Sequence, residues 1–166
     1  DWRRVIFTIS CHASKPFKIL LGKKTRAAMI GLIEGRSAGI TFFRNLSNFI
    51  FEKKELSLLW PLEKIVQELN DYNPEQLISY PGVFVSLVKY KLNGQLKIKP
   101  KRIFLSGEIL TEENRKIIAD AFGCPIVNSY GASECLVVGT KFDNKSYTLF
   151  PNISHIEILD ENDNPA

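Results

Sequence analysis

Residues 102–130 read RIFLSGEILTEENRKIIADAFGCPIVNSY, and this stretch decides the fold. It opens with a short apolar strand, Arg102-Ile103-Phe104-Leu105. Thr111 then caps a helix whose first turn holds Glu112 and Glu113, where carboxylates meet the positive end of the helix dipole. Ile117, Ile118, Ala121 and Phe122 are expected to face inward, and Gly123 stops the helix. Ile126-Val127-Asn128 is the next strand. The same alternation runs upstream. Pro61 opens a helix with a buried stripe of Leu62, Ile65, Val66 and Leu69, and Asn73-Pro74 ends it. Leu77-Ile78-Ser79 is a strand. Pro81 starts a helix with Phe84, Leu87, Val88 and Leu92 on one face, closed by Asn93-Gly94. The strands are short, continuous apolar runs, as expected when helices cover both faces. The pattern predicts an α/β fold, a parallel sheet flanked by helices.

In such sheets, ligands bind beyond the carboxyl ends of the strands. Three predicted strand ends carry unusual residues: Ser79-Tyr80-Pro81-Gly82, Ser106-Gly107-Glu108, and Asn128-Ser129-Tyr130-Gly131-Ala132-Ser133-Glu134. They are expected to converge on one rim. In the last of them an aromatic ring, a glycine, a hydroxyl and a carboxylate follow closely. Those groups suit a magnesium nucleotide: a ring for a base face, close backbone approach, and oxygen ligands for metal and phosphates.

Away from this core the pattern is weaker. Arg26 to Gly35 carries Ala27, Ala28, Met29, Leu32 and Ile33, spaced as one helical face, with Gly35 and Gly39 as breakers. Phe42, Phe43, Phe49, Phe51 and Trp60 are expected to fill a core. Val5-Ile6-Phe7 and Phe17 to Leu21 read as short strands or irregular structure. Ser146 to Phe150 and Ile153 to Leu159 suggest a C-terminal antiparallel hairpin. The organisation expected is therefore an α/β portion over 1–60, a nucleotide-binding α/β core over 61–145, and a β-hairpin over 146–166. The start at Asp1 and the closing turn Asp160 to Ala166 suggest an internal piece of a longer protein.

The bulk composition narrows the function classes. The chain has 166 residues, 45% hydrophobic and 24% charged, which suits a domain with a real core. A net charge of +4 without long like-charge runs argues against a nucleic-acid tail. Lys97, Lys99, Lys101 and Arg102 cluster, and read as a solvated loop or strand edge. Cys11, Cys124 and Cys135 form neither a disulfide framework nor a zinc motif, and read as buried thiols in a reducing cytosol. No apolar stretch is long enough to span a membrane, so a cytoplasmic protein is expected.

The order and spacing of these motifs resemble the phenylacetate–CoA ligase-like, CapK-like branch of the adenylate-forming (ANL) superfamily. The resemblance rests on Ser79-Tyr80-Pro81, on Phe104 to Thr111, on Phe122 to Glu134, and on Ile156 to Asn162. It covers about Gln76 to Pro165 and implies part of the large N-terminal domain of such an enzyme. The reaction implied has two halves: a carboxylate attacks the α-phosphate of ATP to give an acyl-adenylate, and a thiol, here CoA, then takes the acyl group. By matching position, Tyr130 would lie against adenine, with Ser106, Gly107 and Glu108 lining that pocket and Asn128 and Gly131 among the nucleotide-binding residues. Ser133 would bind phosphate and Glu134 would hold Mg2+. Gly131 and Ala132 would border the reacting carboxylate, and Tyr80 would touch the acyl substrate. The expected partners are ATP, a small-molecule carboxylate and CoA, with no nucleic acid and no membrane.

Departures from the family pattern are visible. Thr8 to Ser14 lacks the glycines of a phosphate loop, and neither the ribose-binding aspartate nor the C-terminal catalytic lysine is found. Two alternatives stay open: an adenylating enzyme with an amine or carrier-protein acceptor, and a degenerate binding module without turnover. Gly131-Ala132-Ser133-Glu134 is not a nucleophile elbow, because GxSxG needs glycine where Glu134 stands. His12 and His155 read as surface or satisfied histidines, and Cys135 as a packed thiol without a partner base.

Overall fold

The structure, a computed structural model, describes residues 23–35, 37–132, 135, 137–142, 146–150 and 155–164. The readings made for Val5 to Leu21 and for Cys11, His12, Ser133 and Glu134 lie outside these residues. In chain order the elements are β1 (Thr25–Gly31), α1 (Ala38–Asn45), β2 (Phe51–Ser57), α2 (Leu62–Tyr72) and β3 (Gln76–Ser79). They continue with α3 (Pro81–Leu92), β4 (Arg102–Ser106), α4 (Glu112–Phe122), β5 (Ile126–Tyr130), β6 (Gly139–Phe142) and β7 (Thr148–Leu149). The seven strands form one sheet in the order β2-β1-β3-β4-β5-β6-β7. The first five run parallel, and β6 and β7 continue the sheet antiparallel. The α/β fold with a C-terminal antiparallel hairpin is therefore the one the sequence predicts.

Local chemistry places the helix ends as expected. Thr111 accepts a hydrogen bond from the Asn114 N–H at the start of α4, and Gly123 closes it in the left-handed region at φ 63°. Asn73 ends α2 in the same region at φ 49°. Pro61 lies one position earlier than predicted, as the residue that caps α2. One face of the sheet is covered by α2, α3 and α4. Its core joins Ile65, Val66, Leu69, Phe84, Leu87, Ile118 and Phe122 to the strand residues Ala28, Ile30, Leu77, Ile103 and Leu105. A smaller cluster on the other face joins Ile40 and Phe43 of α1 to Ala27, Met29 and Phe51.

Several sequence expectations are corrected. Arg26 to Gly31 belongs to a strand, not a helix. β1 lies between β2 and β3 and is buried on both faces, so apolar residues follow one another and their spacing no longer separates helix from strand. Ile117 is 39% exposed while Ile118 is fully buried, because adjacent helical residues point about 100° apart and one stripe faces the core. Leu92 in the last turn of α3 and Phe49 in the turn before β2 are each 73% exposed. The antiparallel pair is β6 with β7, so Ser146 to Phe150 supplies its second arm rather than its first. Of the other predicted arm, residues 155–158 are not in a strand, and 153 and 154 lie outside the described residues. Cys124 and Cys135 are half-buried rather than fully buried. Lys97 and Lys99 are exposed in the loop before β4, as the cluster reading expects.

Candidate functional site

The parallel register brings the three motif-bearing strand ends side by side. Ser79 of β3 pairs with Leu105 of β4, and Ser106 pairs with Ser129 of β5. The chain thus leaves the sheet at Tyr80, Gly107 and Gly131 along one rim. Two contacts lock the first two ends together. Gly107 has φ 81°, and a Cβ there would stand 2.8 Å from Cε1 of the Tyr80 ring. The N–H of Gly82, in the first turn of α3, donates to Oε2 of Glu108 at 2.8 Å. A free N–H at a helix start attracts a carboxylate, so Glu108 caps α3 from across the site. The Glu108 side chain therefore ties the β4 loop to the β3 loop.

Gly107 is a position where only glycine fits. Gly107→Ala meets both the left-handed backbone penalty, roughly 1–2 kcal/mol, and the Tyr80 ring. The expected result is a lower denaturation midpoint corresponding to about 2 kcal/mol, with the Tyr80 ring displaced. Urea unfolding of the variant checks it, and an unchanged midpoint refutes the lock.

The β5 end is built differently. Asn128 is buried, and its Nδ2 donates to the Tyr147 hydroxyl at 2.7 Å, while its Oδ1 is buried without a partner. Tyr130 is 62% exposed and meets Tyr147 edge to face, with centroids 6.4 Å apart and planes at 73°. Gly131 and Ala132 are exposed as the chain leaves the strand. The Ala132 carbonyl accepts from the Cys135 N–H at 3.2 Å, and the Tyr130 carbonyl from the Val138 N–H at 2.8 Å. The chain returns antiparallel as β6. Gly139 lets β7 lie close against β6, since a Cβ there would stand 2.9 Å from the Thr148 carbonyl oxygen. The Lys141 ammonium pairs with Glu112 at 2.9 Å and joins β6 to the start of α4.

Other candidate groups stand apart from this rim. Burial pushes the Cys124 thiol up to about 11, so it stays protonated at neutral pH. His155 is exposed and faces Glu157 at 2.8 Å. An open concavity of about 410 Å³ lies between α2 and α3, lined by residues such as Glu63, Asn70, Asp71 and Tyr90. None of the sequence-predicted site residues lines it. Among the described residues no group of three or more His, Cys, Asp or Glu side chains could hold a metal ion. Among them too, no helix is long and apolar enough to cross a membrane.

Thus Tyr80, Ser106, Gly107, Glu108, Asn128, Tyr130, Gly131 and Ala132 all fall on one rim, on adjacent strand ends. Tyr147 was not singled out by the sequence reading. It lies 19 residues beyond Asn128, and nothing local signals that the two meet.

Comparison with known proteins supports this fold. No protein-family model matches the chain. It is 37% identical over 75 residues to Protein CapK of Staphylococcus aureus, covering 44% of this chain and 17% of that protein. Its structure is similar to 2-hydroxyisobutyryl-CoA ligase in an open conformation with 2-HIB-AMP and CoA, with a TM-score of 0.74 and 15% identity. That likeness covers 98% of this chain and 37% of the ligase. The Klebsiella oxytoca NpsA N-terminal subdomain, in complex with 3-hydroxybenzoyl-AMSN, is similar at a TM-score of 0.59 and 16% identity, over 89% of this chain and 40% of that chain. The chain spans well under half the length of each. These likenesses bear out the resemblance read from the motifs: the chain has the fold of the large N-terminal domain of adenylate-forming enzymes, of which it spans a part.

Proposed function

We propose that this chain is the nucleotide-holding part of an ATP-dependent enzyme that activates a carboxylate as an acyl-adenylate and passes the acyl group to CoA. The observation that carries the reading is the meeting of three motif-bearing strand ends on one rim of a parallel sheet. The fold agrees with it, as does the similarity to a CoA ligase whose structure contains an acyl-AMP and CoA.

In this reading the chain's residues divide the work. Tyr130 offers an exposed ring face to adenine, and Asn128, whose Oδ1 is buried without a partner, would meet the adenine edge once uncovered. Ser106, Gly107 and Glu108 form the neighbouring wall, held rigid by the Tyr80 ring and the Gly82 N–H. Gly131 and Ala132 lack bulky side chains, which leaves room for the carboxylate to approach the α-phosphate. Tyr80 stands at the β3 end on the acyl side. Ser133 would donate to a phosphate oxygen and Glu134 would hold Mg2+. A hydroxyl and one carboxylate fit that ion, which takes most of its ligands from phosphate and water. Bound there, the ion would neutralise charge that builds on the phosphate. Holding two anions together for in-line attack is the main task, and rigid strand ends serve it.

The test is pyrophosphate release by the full-length protein with Mg-ATP and a panel of aromatic and aliphatic carboxylates, with and without CoA. Release that depends on a carboxylate is expected, with turnover enhanced by CoA. Release without any CoA effect would point to an amine or carrier-protein acceptor. No release with any carboxylate, and no ATP binding, would refute the reading.

A further inference from the structure

Asn128 is where the rim is chemically incomplete. Its amide offers a donor and an acceptor, and only the donor is used. Nδ2 reaches the Tyr147 hydroxyl at 2.7 Å, while Oδ1 stays buried without a partner. A dry, unpaired acceptor is destabilising relative to a paired one. Meanwhile the Tyr147 ring stands edge-on to Tyr130, with centroids 6.4 Å apart. One side chain therefore sets an aromatic ring against Tyr130 and a polar atom against the Asn128 amide. Those are the two contacts that the proposed reading gives to the base.

We infer that Tyr147 occupies the base subsite itself and is displaced when a ring ligand enters. The inference rests on the nucleotide reading of that site and names a competitor within it. Tyr147 satisfies only half of the amide. A planar heteroaromatic edge with a donor beside an acceptor, as adenine has, satisfies both halves, and so outcompetes the tyrosine. The segment that carries Tyr147 is lightly held. It leads into β7, an edge strand that pairs with β6 over two residues, Thr148 with Thr140 and Leu149 with Gly139. Tyr147 and Leu149 are 42% and 43% exposed. Among the described residues, few contacts oppose a local opening there. The occupied state lowers apparent affinity by the fraction of molecules in which the site is open.

The experiment is ATP titration of the full-length protein, of Tyr147→Phe and of Tyr147→Ala, by calorimetry with folding checked by circular dichroism. Tyr147→Phe removes the bond to Asn128 and is expected to tighten ATP binding about two- to tenfold. Tyr147→Ala also removes the ring and is expected to tighten it by at least as much. If Tyr147→Ala fails to fold, Tyr147→Phe decides alone. Unchanged affinity in folded variants overturns the inference, because the tyrosine then competes with nothing. Weaker binding overturns it too, and makes Tyr147 a wall of the site. Failure of all three proteins to bind ATP removes the nucleotide reading itself, which separates that failure from the failure of this inference.

Discussion

In Glu134→Ala, carboxylate-dependent pyrophosphate release is expected to fall by about 100-fold or more, with the denaturation midpoint unchanged. The argument starts at β5. That strand carries Tyr130 to the rim, and the chain leaves it through exposed Gly131 and Ala132. Glu134 follows four residues after Tyr130 in the sequence between β5 and β6. In the proposed reaction it is the carboxylate that holds Mg2+ against the phosphates. Losing one positioned electrostatic contact of this kind typically costs about 10²–10³ in rate. Glu134→Gln should fall nearly as far, because the charge is lost while the shape is kept. Parallel measurement of pyrophosphate release and urea unfolding checks both halves. Full activity in a folded Glu134→Ala protein would falsify the metal role.

The largest effect on stability is expected at Phe84. Its side chain in α3 is fully buried, and its ring meets Phe122 of α4 edge to face at 5.5 Å. It belongs to the cluster that fixes α2, α3 and α4 on the sheet. Phe84→Ala should destabilise the fold by about 3–5 kcal/mol, from lost burial plus the cavity left behind. The effect should reach the site. α3 begins at Pro81, directly after Tyr80, and its first turn holds Glu108 through Gly82. A loosened α3 therefore loosens two of the three strand ends. Chemical unfolding measures the first effect, and a weakened ATP affinity the second. Phe84→Leu should recover most of the stability, since it restores much of the lost volume. A loss below about 1 kcal/mol in Phe84→Ala would mean that α3 is not anchored by this packing.

Much of this fold was legible from residues 61–130. Each helix there has its own punctuation: Pro61 and Asn73, Pro81 and Gly94, Thr111 and Gly123. Each strand is a short apolar run between them. The adjacency of the strand ends was legible too, because parallel strands joined by helices place their carboxyl ends on one edge. The reading of Arg26 to Gly35 as helical failed for a physical reason. A strand covered on both faces shows no alternation, and Ala27, Ala28 and Met29 favour helix locally. Burial between β2 and β3 outweighed that preference.

The sequence by itself determined the alternation of elements, the caps that end them, and the residue types at the three strand ends. These depend on neighbours three or four positions away, so they are written locally. Only the tertiary structure decided which side chains serve each other across the rim. It set Glu108 on the α3 N-terminus, 26 residues from Gly82, and the Tyr80 ring on Gly107. It also brought Tyr147 to Asn128 and left one amide oxygen without a partner. Contacts of that kind depend on register and chain return, which no local pattern of residues encodes.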